Sequence, residues 1–99
     1  MAERPVGLAQ LDDIDAVFAA LAHEARRQIL LVLHVRGGEL TSGELASRFD
    51  CSWPTTTRHL GVLADAGLVT VTADGRQRRY RLELDRLLGV TGSWLGAFD

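Results

Sequence analysis

Apolar positions along this chain change their spacing twice. Up to about residue 67 they recur every three or four residues, from 68 to 82 they alternate, and after 85 the helical spacing returns. Ile14, Val17, Phe18 and Leu21 predict an amphipathic first helix from about Asp12 to Ala22, with Asp12, Asp13 and Asp15 supplying an N-cap and negative charge at the positive end of the helix. A second helix runs from about His23 to Val35 with Ile29, Leu30 and Leu33 as its core stripe, and Gly37 and Gly38 stop it. Thr41-Ser42-Gly43-Glu44 has the form of a capping box. It opens a short third helix through Leu45, Ala46 and Phe49 to about Asp50, with Cys51 in the following turn. Ser52 caps a fourth helix that tolerates Pro54 in its first turn, turns Leu60 and Leu63 inward and ends at Gly67.

Residues 68–73, LVTVTA, are β-branched and read as a strand, Asp74-Gly75 as a hairpin turn, and Arg76 to Leu82 as the returning strand. A last helix from about Asp85 carries Leu87, Leu88, Trp94, Leu95 and Phe98. The predicted order is four helices, two strands and a helix: a mainly α chain with a small β-hairpin. Two short helices joined by a tight turn and followed by a two-stranded wing describe a winged helix-turn-helix. It fills residues 1–99 as one domain, with residues 1–10 a flexible lead.

The formal net charge of −2 at first sight argues against a polyanionic partner, but the charge is unevenly placed. Residues 1–50 carry five Arg against eight Asp and Glu. Residues 52–81 carry Arg58, Arg76, Arg78, Arg79 and Arg81 against Asp65 and Asp74. A basic segment on a mildly acidic body is the electrostatic footprint of a nucleic-acid binder. The single cysteine excludes an internal disulfide and fits a reducing, cytoplasmic setting. No apolar run reaches the ~20 residues a membrane span needs, and MAERPVGL lacks a signal-peptide pattern. The pattern holds no nucleophile-base pair, Gly-rich phosphate loop or paired-carboxylate cleft, so an enzyme is not expected.

The fourth helix opens SWPTTTRHL, with hydroxyl side chains that are mediocre helix formers. Projected at 100° per residue, Thr56, Leu60, Leu63 and marginally His59 face the core, while Pro54, Thr57, Arg58, Gly61 and Asp65 face away. A small, hydroxylic and basic outer face suits a DNA major groove, where short side chains let the backbone approach and Arg grips guanine. RQRRYR, residues 76–81, sets four Arg within six positions of a hairpin, a like-charge concentration that a polyanion would offset. Tyr80 and Leu82 share a parity and point inward, leaving Arg79 and Arg81 outward and Arg76 to Arg78 at the tip.

SWPTTTRHLGVLADAGLV followed by DGRQRRYRL resembles the recognition helix and wing of ArsR-type bacterial transcriptional repressors, and ALAHEARRQILLVL resembles their second helix, with His23-Glu24 where Asp-Pro is usual. The resemblance covers residues ~14 to 98. It implies a homodimeric repressor on a pseudo-palindromic double-stranded DNA operator. Thr55, Thr57, Arg58 and His59 would then lie at or near the bases beside the cap Ser52, with Arg76, Gln77, Arg78 and Arg79 of the wing against the backbone. Trp53 departs from the family, and either contacts a thymine methyl or packs on the third helix. The metal-sensing Cys-x-Cys of many relatives is replaced by Thr41 and Gly43, and no His follows His59 for a last-helix site. Neither a metal nor another cofactor is therefore expected, and His23, His34 and His59 look scattered.

The terminal helices are too apolar for a monomer's surface. Leu11, Ile14, Val17 and Phe18 are expected to pair with Leu87, Trp94, Leu95 and Phe98 in a homodimer interface. Two other readings remain: a winged-helix module whose basic wing meets an acidic protein, and a redox-responsive repressor using Cys51. The sequence names no inducer.

Overall fold

The computed structural model describes residues 8–49 and 52–99. The elements are α1 (Leu8–Leu21), α2 (Glu24–Val35), β1 (Glu39–Thr41), α3 (Ser42–Ala46), α4 (Trp53–Asp65), β2 (Val69–Asp74), β3 (Gln77–Leu82) and α5 (Leu84–Gly96). They form a winged helix-turn-helix, and three features depart from the sequence pattern.

The first is the start of α1. It begins at Leu8 rather than Asp12, because Leu8, Ala9, Gln10 and Leu11 are good helix formers. The acids Asp12, Asp13 and Asp15 thus lie inside the helix, exposed, and are not its cap. Part of the expected flexible lead is helical, and its first seven residues lie outside the described ones.

The second is a third strand. β1 pairs antiparallel with β3, Leu40 opposite Tyr80, and the sheet order is β1-β3-β2. Three residues are too few to display a period of two, so the pairing was invisible in the pattern. The third is the length of α3, which ends at Ala46 rather than near Asp50. Its capping box is as expected: Thr41 Oγ1 accepts from Glu44 N at 3.2 Å and Glu44 Oε1 from Thr41 N at 2.9 Å. Phe49 packs on the core without helical backbone. Asp50 and Cys51 lie outside the described residues, and with them any redox role of Cys51.

The core joins Val17 and Ala20 of α1, Ile29, Leu30 and Leu33 of α2, Leu45 of α3, Leu60 and Leu63 of α4 and Tyr80 of β3. Two arginines bind α1 to α2 end-on. Arg26 donates to the carbonyls of Ala20 (2.8 Å) and Ala19 (3.2 Å), and Arg27 to that of Leu21 (2.7 Å). These are C-terminal carbonyls of α1, so the cations also meet the negative end of its dipole.

The turn after α4 needs glycine. Gly67 has φ +77°, and a Cβ there would come within 2.7 Å of Arg86 Nε. Arg86 itself donates to Ala66 O (3.1 Å) and pairs with Asp13 (3.3 Å), linking the end of α4, α5 and α1. No helix among the described residues is long and apolar enough to cross a membrane.

Candidate nucleic-acid interface

The three threonines that open α4 do three different things. Ser52 caps the helix, its hydroxyl accepting from Thr55 N (3.4 Å) and donating to Thr55 Oγ1 (3.1 Å). Thr56 is buried at 1% exposure with its hydroxyl donating to Ser52 O (3.2 Å). Thr57 is half-buried, and its Oγ1 is enclosed without a hydrogen-bond partner. Pro54, Arg58, Gly61 and Asp65 are exposed as the helical projection predicts, whereas Thr57 sits at the border of the face rather than at its centre.

Thr57 faces the wing. A cleft of about 310 Å³ between α4, α3 and the hairpin is lined by Ser42, Trp53, Thr57, Arg76, Arg78 and Tyr80. Trp53 is half-buried, packing partly on the core and partly into this cleft. The hairpin turns at Gly75 (φ +62°), where a left-handed backbone favours glycine. Asp74 pairs opposite Gln77, so the tight loop is Gly75-Arg76.

The wing arginines divide into two kinds. Arg79 is held from both sides, by Asp74 at 2.9 Å and Glu39 at 3.1 Å. The hydrogen bond and charge of Asp74, then those of Glu39, raise its pKa further. Arg81 lies 3.9 Å from Glu83, a looser pair. Arg76 and Arg78 form no ion pair among the described residues. Gln77 is occupied as well. Its Oε1 accepts from Gly43 N (3.0 Å), and the neighbouring Arg78 N donates to Ser42 Oγ (3.3 Å). Sequence reasoning placed Gln77 and Arg79 with the outward-facing wing residues. The structure employs both in holding the wing on α3 and β1, because Glu39, Ser42 and Gly43 become its neighbours only through the β1–β3 pairing.

His59 turns toward α2, where its ring lies 4.4 Å from that of His23. The two were expected to be far apart, being 36 positions distant in sequence. His23 is the N-cap of α2, its Nδ1 accepting from Ala25 N at 3.2 Å. His59 Nδ1 is buried without a partner, and burial first, then the charges of His23, Arg26 and Arg58, lowers its pKa. Among the described residues no three His, Cys, Asp or Glu side chains converge as metal ligands would.

The helices expected to dimerise divide likewise. Ile14 (4%) and Val17 (0%) are sealed inside the protomer and present no surface to a partner, contrary to their expected place in the interface. Leu87 is half-buried against the core. Leu11, Phe18, Trp94 (40%), Leu95 (62%) and Phe98 (72%) remain exposed, as does Leu88, which the interface expectation omitted. Trp94 stands edge-on to Phe18 at 5.3 Å and to Phe98 at 4.9 Å, an aromatic ridge across α1 and α5.

This geometry has relatives. A helix-turn-helix domain family matches residues 21–72. A putative arsenical resistance operon repressor from Halobacterium salinarum is 40% identical over 65 residues, 66% of this chain and 50% of its own length. A biofilm growth-associated repressor from Agrobacterium fabrum is 35% identical over 75% of this chain and 62% of its own, so the chain spans half to three-fifths of these two relatives. Among solved structures, an ArsR-like transcriptional regulator from Rhodococcus superposes with a TM-score of 0.77 at 31% identity, over 91% of this chain and 85% of that one. A solution structure described as the homodimeric winged helix-turn-helix DNA-binding domain of a possible ArsR-family regulator from Mycobacterium bovis superposes at 0.75, with 28% identity over 98% of this chain and 90% of that one. With its helix-turn-helix segment matched and its whole fold shared with such proteins, this chain belongs to the ArsR family of winged helix-turn-helix transcriptional regulators.

Proposed function

We propose that this chain is a sequence-specific DNA-binding regulator, a repressor that acts as a homodimer on a pseudo-palindromic operator in the cytoplasm. The observation that carries this reading is the division of the basic residues. Arg79 is spent on internal ion pairs, while Arg76 and Arg78 line a cleft between α4 and the wing and Arg58 is exposed on α4. Unpaired guanidiniums beside a helix N-terminus suit phosphate and base edges. In this reading Ser52, Thr55 and Thr57 approach the backbone and bases, and Arg58 reads a base. His59 orients the helix through His23 instead of touching DNA. One domain does this work, and its chemistry is binding rather than catalysis.

The exposed ridge of Trp94, Leu95 and Phe98 with Leu11 and Phe18 supports the dimer, since aromatic anchors concentrate binding energy. Two-fold symmetry would place the two α4 helices about one DNA turn, ~34 Å, apart. Fluorescence anisotropy against the DNA upstream of the protein's own gene and against a scrambled duplex, at two salt concentrations, tests the proposal. Tight binding that prefers the upstream DNA and weakens steeply with salt is the expected result. Equal, salt-insensitive affinity for both duplexes would overturn it.

A further inference from the structure

Glycine is a poor residue for the interior of a helix, because ordering its backbone loses more conformational freedom than ordering that of alanine. Gly61 nevertheless lies in the interior of α4. The two features of a fold that demand glycine are both missing there. Its φ is not positive, unlike those of Gly67 and Gly75, and a Cβ built on it would meet no atom within 4 Å. At Gly43 of α3, by contrast, such a Cβ would come within 2.8 Å of Gln77 Oε1 in the wing. Nothing inside the described protein accounts for a bare hydrogen at Gly61, where a methyl group would make a better helix.

Its surroundings outside the protein do. Gly61 is exposed, one turn beyond Thr57 on the same row of α4 and three positions beyond Arg58. Thr57 lines the cleft that holds Arg76 and Arg78, and Arg58 is exposed and forms no ion pair among the described residues. The row therefore runs from the basic cleft along the outer face of α4. Asp65, one turn further, is exposed and acidic, and bounds the stretch that a polyanion can lie against. Among the described helices, exposed glycines with such open surroundings occur at Gly61 in α4 and at Gly89, Gly92 and Gly96 in α5. These are the helix that reads as meeting DNA and the helix whose apolar ridge reads as meeting a second copy.

We propose, resting on the DNA-binding function above, that Gly61 is a positioning residue for DNA recognition: the point where the backbone of α4 comes closest to the floor of the major groove. The missing side chain sets how deep the helix sits. A groove about 12 Å wide takes a helix of about 10–12 Å diameter with little clearance. A methyl group on the inward row moves α4 outward and lengthens the contact of Arg58 with its base. Arg76 and Arg78 reach phosphate through long side chains that adjust to the same shift.

Gly61→Ala and Gly61→Leu, compared with the unsubstituted protein by thermal melting and by anisotropy titration of upstream and scrambled DNA, test this. Both replacements favour the helix, so both should raise the melting temperature, Gly61→Ala by about 2–8 °C. Affinity for the upstream DNA should fall in the same variants, roughly tenfold for alanine and roughly a hundredfold for leucine, while affinity for the scrambled duplex changes less than about threefold. A residue needed only by the fold would lower stability and affinity together, whereas here the two move in opposite directions. Unchanged affinity of Gly61→Leu for the upstream DNA would overturn the proposal and leave the DNA-binding reading intact. Equal losses on both duplexes would overturn it as well, since depth in the groove matters only where bases are read. So would a lowered melting temperature in both variants, which would give the glycine its role inside the fold. An unsubstituted protein that fails to distinguish the two duplexes would overturn the DNA-binding reading, and the role of Gly61 with it.

Discussion

Arg58, Arg78 and Arg79 are chemically alike and lie within a span of 22 residues, but their neighbours give them different expected phenotypes. Arg58 is exposed on α4, so Arg58→Ala should remove the preference for operator over scrambled DNA in an anisotropy titration. Retained preference would refute its assignment as a base reader. Arg78, unpaired in the wing, should act through phosphate alone. Arg78→Ala should weaken binding to both duplexes about equally and reduce the slope of log affinity against log salt by about one. Arg79→Ala should leave that slope unchanged and lower the melting temperature only slightly, since both of its ion pairs are partly exposed and screened by solvent. His59 adds a dependence on pH. Its pKa is depressed below the ordinary 6.5 in the folded chain, so the unfolded chain binds the proton more readily. The stability associated with its neutral form is complete above pH 6.5 and is lost as pH falls through the lower, folded value. Thermal melts between pH 8 and 5 should show this decline, and His59→Gln should flatten it.

At the scale of elements, boundaries marked by local chemistry were legible and boundaries set by distant partners were not. The Thr41–Glu44 capping box, the Ser52 cap, the Gly37-Gly38 stop and the parity of Tyr80 and Leu82 each depend on residues within a few positions, and each is where the pattern put it. Strand β1 depends on Arg79 to Arg81, forty positions away, and left no periodic trace in three residues. The same distance hid the intramolecular partners of Gln77 and Arg79, so the basic wing was legible as a region but not in its division between side chains without an ion pair among the described residues and side chains holding the wing. The pairing of His23 with His59 was hidden for the same reason. Gly67 illustrates a boundary with both causes: the left-handed backbone is local, the crowding by Arg86 is not. Gly67→Ala should therefore cost about 1–3 kcal/mol, read as a fall of several degrees in melting temperature.

For the whole molecule, the decisive feature is which apolar side chains remain outside once the core has closed. Ile14 and Val17 were expected at the interface on apolarity alone, and periodicity cannot tell a residue sealed by α5 of the same chain from one left for a partner. Leu95 and Phe98 do remain outside, so charged substitutions there should spare the fold and break the proposed dimer. Phe98→Glu with Leu95→Glu should sediment as a monomer, with a circular dichroism spectrum like that of the parent. Operator affinity should fall by orders of magnitude, because each monomer then meets a half-site alone.

The wing is fastened at both ends: β1 pairs along its root, and Gln77 and Arg78 bind Gly43 and Ser42 close to its tip. A hairpin fastened in this way has already lost its conformational freedom before any encounter with a duplex. The entropy of ordering the hairpin backbone that carries Arg76 and Arg78 is charged to folding, and little of that backbone term remains to be subtracted from the association free energy. In kinetic terms, on the proposed DNA-binding reading, the spacing of α4 and wing is set by the fold rather than adjusted after contact. Collisions with a duplex of fitting shape can then become productive without a slow closing step.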